Sequence, residues 1–202
     1  MFLVRRLIAV LVLAVFLVPG VAQADSGAQA VIRNFYTQLA ATMKQGDRLG
    51  FDGRVKKLEP AVKSAFNLPL MTKLSVGSSW TDASAQEQAD LIAAFSSFSV
   101  ANYASRFTNY NGEQFIVIGE KASGSDVIVE TSLKPKDADA VNLNYLMRKD
   151  DKGSYRIVDV MLNGVISEMA TRRAEFSSIA RRDGIQGLVN SLGEKSKQMG
   201  AS

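Results

Sequence analysis

Cysteine and histidine are both missing from the 202 residues, and there is a single tryptophan. Without cysteine there is no disulfide framework, no thiol nucleophile, no iron–sulfur cluster and no lipid-modified cysteine anchor. Without histidine there is no Ser-His-Asp triad. A zinc site would have to be built from carboxylates alone, which zinc rarely accepts. No metal and no cofactor are therefore expected. At roughly 100–200 residues per domain, the length allows one domain with an appended segment, large enough to bury a core without staples.

The appended segment is at the start. Arg5 and Arg6 precede an unbroken apolar run of twelve residues over 7–18, which Pro19-Gly20 ends. Ala22-Gln23-Ala24 is a small-x-small cleavage site. A span needs about 20 apolar residues, so the run reads as a cleaved signal peptide over 1–24 rather than as a membrane anchor. Without Arg5 and Arg6 the 24 basic residues become 22 against 20 acidic ones, a net charge of +2. Such a balanced chain lacks the concentrated basic stripe of a nucleic-acid binder. The expected location is the periplasm, where no ATP is expected for a kinase or an ATPase.

Residues 25–202 read as one α+β domain in which helices precede and follow an antiparallel sheet. Val31, Ile32, Phe35, Tyr36, Leu39 and Met43 form one helical stripe ending at Gly46. A polar, glycine-punctuated link is expected over 46–53, then a helix carrying Val55, Leu58, Val62 and Phe66. Asn67 is an N-cap with Pro69 in the first turn. Ser84-Ala85-Gln86-Glu87 is a capping box opening the longest helix, to about Tyr110. Four strands are expected, over 115–118, 126–133, 141–147 and 155–162, with Asp150-Asp151-Lys152-Gly153 as a hairpin turn. Gly164 should restart a helix that stops near Gly184. A last amphipathic piece bears Ile185, Leu188, Val189 and Leu192, fraying from Lys195.

Reaction chemistry is sparse. Gly119 to Gly124 has glycines at phosphate-loop spacing, but no Lys-Ser/Thr follows and strands flank it, so it reads as a hairpin turn. Asp159, inside an apolar strand, is the one carboxylate that could act as a general base in a cavity; the bland alternative is an ion pair or a sheet-edge position. Arg172, Arg173, Arg181 and Arg182 are the basic cluster, with Glu168 and Arg172 at ion-pair spacing. Nine residues separate the two pairs, about half a turn out of phase on a continuous helix. Arg172/Arg173 is expected in a structural ion pair, with Asp159 as a partner. Arg181 and Arg182 are left to dock an acidic partner or anionic headgroups.

Several stretches carry a resemblance. Leu74-Ser-Val-Gly-Ser-Ser-Trp80-Thr-Asp-Ala-Ser84, then Tyr155-Arg-Ile-Val-Asp159-Val160, Gly164-Val-Ile-Ser167, Arg172-Arg-Ala-Glu-Phe176 and Asp183-Gly-Ile-Gln-Gly-Leu188 resemble the MlaC/toluene-tolerance family of periplasmic lipid-binding proteins. Ile166 lengthens the helix entry by one residue relative to that pattern. The run 166–176 looks most like the hopanoid-associated HpnM branch. The resemblance implies an NTF2-like cone, a curved sheet of about four strands covered by helices around an apolar cavity. It also implies a soluble carrier of a phospholipid or hopanoid between an inner-membrane ABC-type transporter and an outer-membrane lipoprotein/porin complex, a monomer and not an enzyme. The competing readings are a cone-fold enzyme using Asp159 and a non-catalytic envelope scaffold. Alternation groups residues by strand face without fixing which face meets the helices, since one register slip reverses it; the expected cavity wall is Val129, Tyr145, Val158 and Val160, opposed by Leu74, Phe95, Tyr103 and Phe107.

Overall fold

The computed structural model describes residues 27–201; the expected signal peptide lies outside them. Helix α1 (Gly27–Met43) buries Ile32, Phe35, Tyr36, Leu39 and Met43 on the stripe its spacing dictates. Helix α2 (Gly46–Ala65) begins almost at once and breaks at Gly50, whose φ of 59° is left-handed. The stretch expected as a polar link is thus helical, because it is packed. Arg54 donates to the carbonyls of Ala104 (2.9 Å) and Gly46 (3.2 Å). Gly46 lies so near the Thr108 carbonyl that an added Cβ would fall 1.6 Å from it.

Helix α3 (Leu68–Val76) is capped by Asn67, which accepts from the Leu70 amide at 3.2 Å. After the single turn α4 (Ser79–Asp82), helix α5 (Ala85–Arg106) opens on the full capping box. The Ser84 hydroxyl accepts from the Glu87 amide (3.3 Å), and the Glu87 carboxylate accepts from the Ser84 amide (2.9 Å). The bond from the Ser84 amide is the main reason the Glu87 carboxyl is held below its ordinary value.

Strands β1 (Gln114–Ser123), β2 (Asp126–Lys134), β3 (Val141–Lys149), β4 (Tyr155–Leu162) and the two-residue β5 (Ile166–Ser167) form one antiparallel meander in that order. Gly119 to Ser123, expected in a turn, belongs to β1, and the reversal is confined to the residues around left-handed Gly124. A register shift between Val117 and Gly119 makes a bulge of Ile118. A second shift opposite Leu146/Met147 makes a bulge of Val158, so Ile157 and Val160 share a face. Bulges of this kind bend a strand and increase its twist. Helix α1 lies across the concave face, touching β1, β2 and β4, while α6 touches β4 and pairs with α5.

The fifth strand was not expected, because Gly164 appeared to restart a helix. Asn163 (φ 51°) and Gly164 (φ 73°) instead reverse the chain, and Leu162 pairs with Ile166. Helix α6 (Glu168–Ala201) starts only after β5 and breaks at Gly184, where φ is 72°. The break is a hairpin. Lys195 Nζ lies 3.0 Å from a Glu175 carboxylate oxygen, whereas twenty residues along a straight helix would put them about 30 Å apart.

Asp159 joins the two layers. One carboxylate oxygen accepts from the amides of Val160 (2.7 Å) and Met169 (3.0 Å), and the other accepts from the Ser167 hydroxyl. Ser167 Oγ in turn accepts from the Ala170 amide at 2.9 Å. Asp159 therefore caps α6, and its partners are these groups rather than the expected arginine. A cap is worth about 1 kcal/mol and a hydrogen bond to a charged group about 1.5–3 kcal/mol. Asp159→Ala is expected to lower unfolding free energy by about 2–3 kcal/mol in urea titrations, and Asp159→Asn by less. An unchanged midpoint would show that the joint does not depend on this carboxylate.

Candidate functional site

The space between α1, α5 and the sheet is filled by aromatic rings in a closed circuit. Phe35 meets Tyr103 edge-on at 5.2 Å, Tyr103 stacks on Phe107 at 5.8 Å, and Phe107 meets Phe115 at 6.1 Å. Phe115 meets Tyr36 at 5.0 Å, and Tyr36 meets Phe35 at 6.3 Å. Phe66 closes on Phe35 and Tyr103, at 5.4 and 5.5 Å. The rings come from α1, the end of α2, α5 and β1, so four segments distant in sequence share one interior.

One polar network crosses this interior. The Tyr36 hydroxyl lies 2.6 Å from Thr131 Oγ1 and 3.1 Å from the Tyr145 hydroxyl. Thr131 Oγ1 also donates to the Leu143 carbonyl. Buried hydroxyls without such partners would each cost on the order of 1–3 kcal/mol, so the network pins α1 to β2 and β3 in one orientation. Burial pushes the phenols of Tyr36, Tyr103 and Tyr145 above their ordinary value, the last two strongly.

Toward one end of the sheet the concave face emerges into solvent. Val117 pairs with Thr131, Thr131 bonds Leu143, Leu143 pairs with Leu162, and Leu162 pairs with Ile166, which makes one row across all five strands. Cover fades along that row: Thr131 is buried, Leu162 is 39% exposed and Ile166 55% exposed. Val165, at the tip of the turn, is 81% exposed. A depression of about 300 Å³ also opens between α1 and β1, lined by Tyr36, Thr37, Ala40, Phe115 and Val117 with Arg33. An apolar interior with an apolar lip can pass a hydrocarbon from outside to inside without crossing a polar belt.

Among the wall residues selected from sequence, Val129, Tyr145 and Val160 form one buried row by direct pairing. Tyr103 and Phe107 belong to the ring circuit. Three residues lie elsewhere. Phe95 is buried between α5 and α6, meeting Phe176 at 6.3 Å. Leu74 is 37% exposed. Val158 is buried but outside the main core cluster, because the bulge gives its inward place to Ile157. Sequence reasoning missed Phe35, Tyr36, Phe66, Phe115 and Thr131 as wall residues. The α1 stripe was the signal for the first two.

Of the arginines, Arg172 pairs with Glu168 and packs over the rings of Phe98 (4.8 Å), Phe95 (5.7 Å) and Phe176 (5.9 Å). Arg182 pairs with its neighbour Asp183 at 2.7 Å. Arg181 borders a depression with Asp82 and Glu87. Among the described residues, no cluster of three His, Cys, Asp or Glu side chains could hold a metal ion, and no helix is long and apolar enough to cross a membrane.

The raised phenols bear on stability. A tyrosine whose folded pKa exceeds its unfolded value contributes stability that is complete below the unfolded value, near 10, and is lost as pH rises toward the folded one. Alkaline titration followed by phenolate absorbance should show Tyr36, Tyr103 and Tyr145 ionising together with loss of the circular-dichroism signal. Smooth ionisation of all five tyrosines in a chain that stays folded would contradict this.

A family model described as MlaC protein matches residues 33–194. Among solved structures, a phospholipid-binding protein from Ralstonia solanacearum, determined in complex with a phospholipid, is similar with a TM-score of 0.74 at 20% identity. The alignment covers 86% of this chain and 99% of that one. At that identity the likeness is one of fold: the same α+β arrangement of curved antiparallel sheet and helices. The family match spans most of the chain, including most of α1, the ring circuit and both halves of the Asp159 joint, and the chain belongs to the MlaC family.

Proposed function

We propose that the protein is a periplasmic lipid carrier whose cargo enters at the Leu162–Ile166 lip and lays its hydrocarbon along the ring-lined concave face. The observation that carries this reading is the row that leads from buried Thr131 through half-buried Leu143 to the exposed apolar side chains of Leu162 and Ile166. Membership of the MlaC family and the phospholipid held by the Ralstonia protein support it. So does the Arg5-to-Ala24 segment, which has the form of an export signal.

The energetics decide whether a packed interior can open. Pockets for drug-sized ligands run about 300–1,000 Å³, and the depression beside Tyr36 is at the bottom of that range. Two acyl chains need more room, so rings must part. Separating Phe35–Tyr103, Phe66–Tyr103, Tyr103–Phe107 and Phe107–Phe115 forfeits about 0.5–1.5 kcal/mol per pair beyond area burial. A diacyl lipid brings on the order of 30 methylenes at about 0.8 kcal/mol each when shielded from water. For a lipid otherwise exposed to water, the exchange favours the loaded form.

The cargo in this reading is a phospholipid. The second reading is a hopanoid, favoured by the run Ile166 to Phe176, which resembles the hopanoid-associated branch; a rigid polycycle would have fewer rotors to freeze. The carrier would receive and deliver its cargo at an inner-membrane ABC-type transporter and an outer-membrane lipoprotein/porin complex. Arg181 and Arg182 form the docking face in this scheme. Arg182 is partly neutralised by Asp183, so Arg181 carries more of the attraction.

Protein purified from its own periplasm is expected to carry lipid by native mass spectrometry, and the mass identifies the class. Leu162→Asp with Ile166→Asp, both at exposed positions, should leave the circular-dichroism spectrum intact and slow lipid uptake from vesicles at least tenfold; unaltered uptake would displace the entrance. Charge reversal at Arg181 and Arg182 should slow membrane-to-membrane transfer at low salt while sparing equilibrium occupancy, since steering acts on encounter rate. Equal transfer rates there would mean that this face is merely solvated.

A further inference from the structure

The two outer edges of the sheet differ. Along β4, the Asn67 amide donates to the Ile157 carbonyl at 2.9 Å and β5 pairs the far end, so that edge is occupied. The opposite edge is β1, ten residues long, and among the described residues it pairs with β2 alone. Alternate residues of such an edge turn N–H and C=O groups away from their own sheet, and what satisfies a row of both is another strand. Edges are ordinarily kept short or charged, whereas β1 exposes Ile116 and Ile118, the latter to 63%.

The bulge decides which strand fits. Before it, Phe115 belongs to the ring circuit and Val117 pairs with buried Thr131, so both face inward. After it the alternation slips by one: Glu120 pairs with buried Val129, and Ala122 with Val127, so these two face inward. The inward series 115, 117, 120 and 122 is symmetric about the bond between Ile118 and Gly119. A second copy of β1, turned about a two-fold axis at that bond, therefore matches the first along its whole length. Phe115 meets Ala122, Ile116 meets Lys121, Val117 meets Glu120 and Ile118 meets Gly119. A Cβ added at Gly119 would touch nothing within 4 Å, so there is open space where Ile118 of the second copy lands. The stem of Lys121 can lie along Ile116 while its ammonium stays on Glu130. The charges match as well. Val117 lines the depression that Arg33 borders. Directly opposed residues stand about 5 Å apart, so Glu120 of the second copy arrives beside Arg33, and the symmetry makes that pair twice.

We propose that β1 is a self-association edge: two copies of this chain pair antiparallel about Ile118–Gly119, joined by reciprocal Arg33–Glu120 ion pairs, in place of the monomer that the resemblance implies. The inference does not rest on the carrier reading. It is compatible with it, because β1 and the Leu162–Ile166 lip lie at opposite edges of the sheet, and both lips stay open in the pair.

Sedimentation equilibrium of protein purified from the periplasm should show monomer and dimer exchanging with a Kd of about 10–100 μM, or about 5.5–7 kcal/mol. Arg33→Glu or Glu120→Arg alone should weaken the dimer at least about tenfold, the scale of one charged hydrogen bond. The double variant Arg33→Glu/Glu120→Arg should return the Kd to within about threefold of wild type, since the pair is re-formed with its charges exchanged. Ile118→Lys should weaken the dimer as well. These three positions are exposed, so circular dichroism should not change. Amide exchange over 115–122 should slow as the protein is concentrated. A chain that stays monomeric up to about 1 mM overturns the proposal. So does a dimer that neither Glu120→Arg nor Ile118→Lys weakens, or one that forms without slowing exchange in β1, because its contact lies on another face. Failure of the double variant to recover what each single reversal loses overturns the two-fold register.

Discussion

The joint at Asp159 is the contact on which the rest of the molecule depends. A single carboxylate in β4 accepts from the Met169 amide in the first turn of α6 and from the hydroxyl of Ser167, which in turn accepts from the Ala170 amide of the same helix. It thereby fixes where α6 leaves the sheet, and that exit places Glu168 and Arg172 beside α5. The side chain most easily mistaken for a general base, a carboxylate in an apolar strand, is thus an architectural one. Its bonds are local on one side and span ten residues on the other, which is how a strand and a helix acquire a definite angle.

The second organising contact is polar and sits within the apolar interior. Tyr36, Thr131 and Tyr145 carry hydroxyls into a region otherwise made of rings. Such a network adds modest net stability, since water would satisfy the same groups in the unfolded chain. Its effect is on orientation: a helix lying on a purely apolar sheet could slide, whereas misplacing Tyr36 strands buried hydroxyls. If hydrocarbon enters this interior as proposed, the interior needs a reference point that hydrocarbon cannot mimic, and these hydroxyls provide one.

Much of this was legible in the sequence because periodicity reports burial. The α1 stripe, the Ser84–Glu87 capping box, the Asn67 cap and the alternation in Val141 to Met147 all map onto observed elements. The family resemblance, resting on ordered short motifs, anticipated the fold class. The failures have a common cause. Alternation assumes an uninterrupted register, and the bulge at Val158 moved Ile157 into the inward position that alternation assigned to Val158. Gly164 was misread because a left-handed pair can end one strand and begin another as easily as it can precede a helix. Phe95 lies on the same helix as Tyr103 but faces Phe176, and helical spacing alone does not say which of two neighbours a residue meets.

The hairpin at Gly184 divides the molecule into tiers of unequal local stability. The arm beyond it is held through buried Ile185, Leu188 and Leu192, the Lys195–Glu175 pair and the close approach of Gly200 to Phe51. Swinging that arm away would break these contacts and leave every strand pairing in place. Opening of this kind is sub-global and requires less free energy than unfolding the sheet. Amide hydrogens of the final arm would accordingly exchange through a different, cheaper fluctuation than those of β2 and β3, so the arm can breathe while the sheet stays fixed.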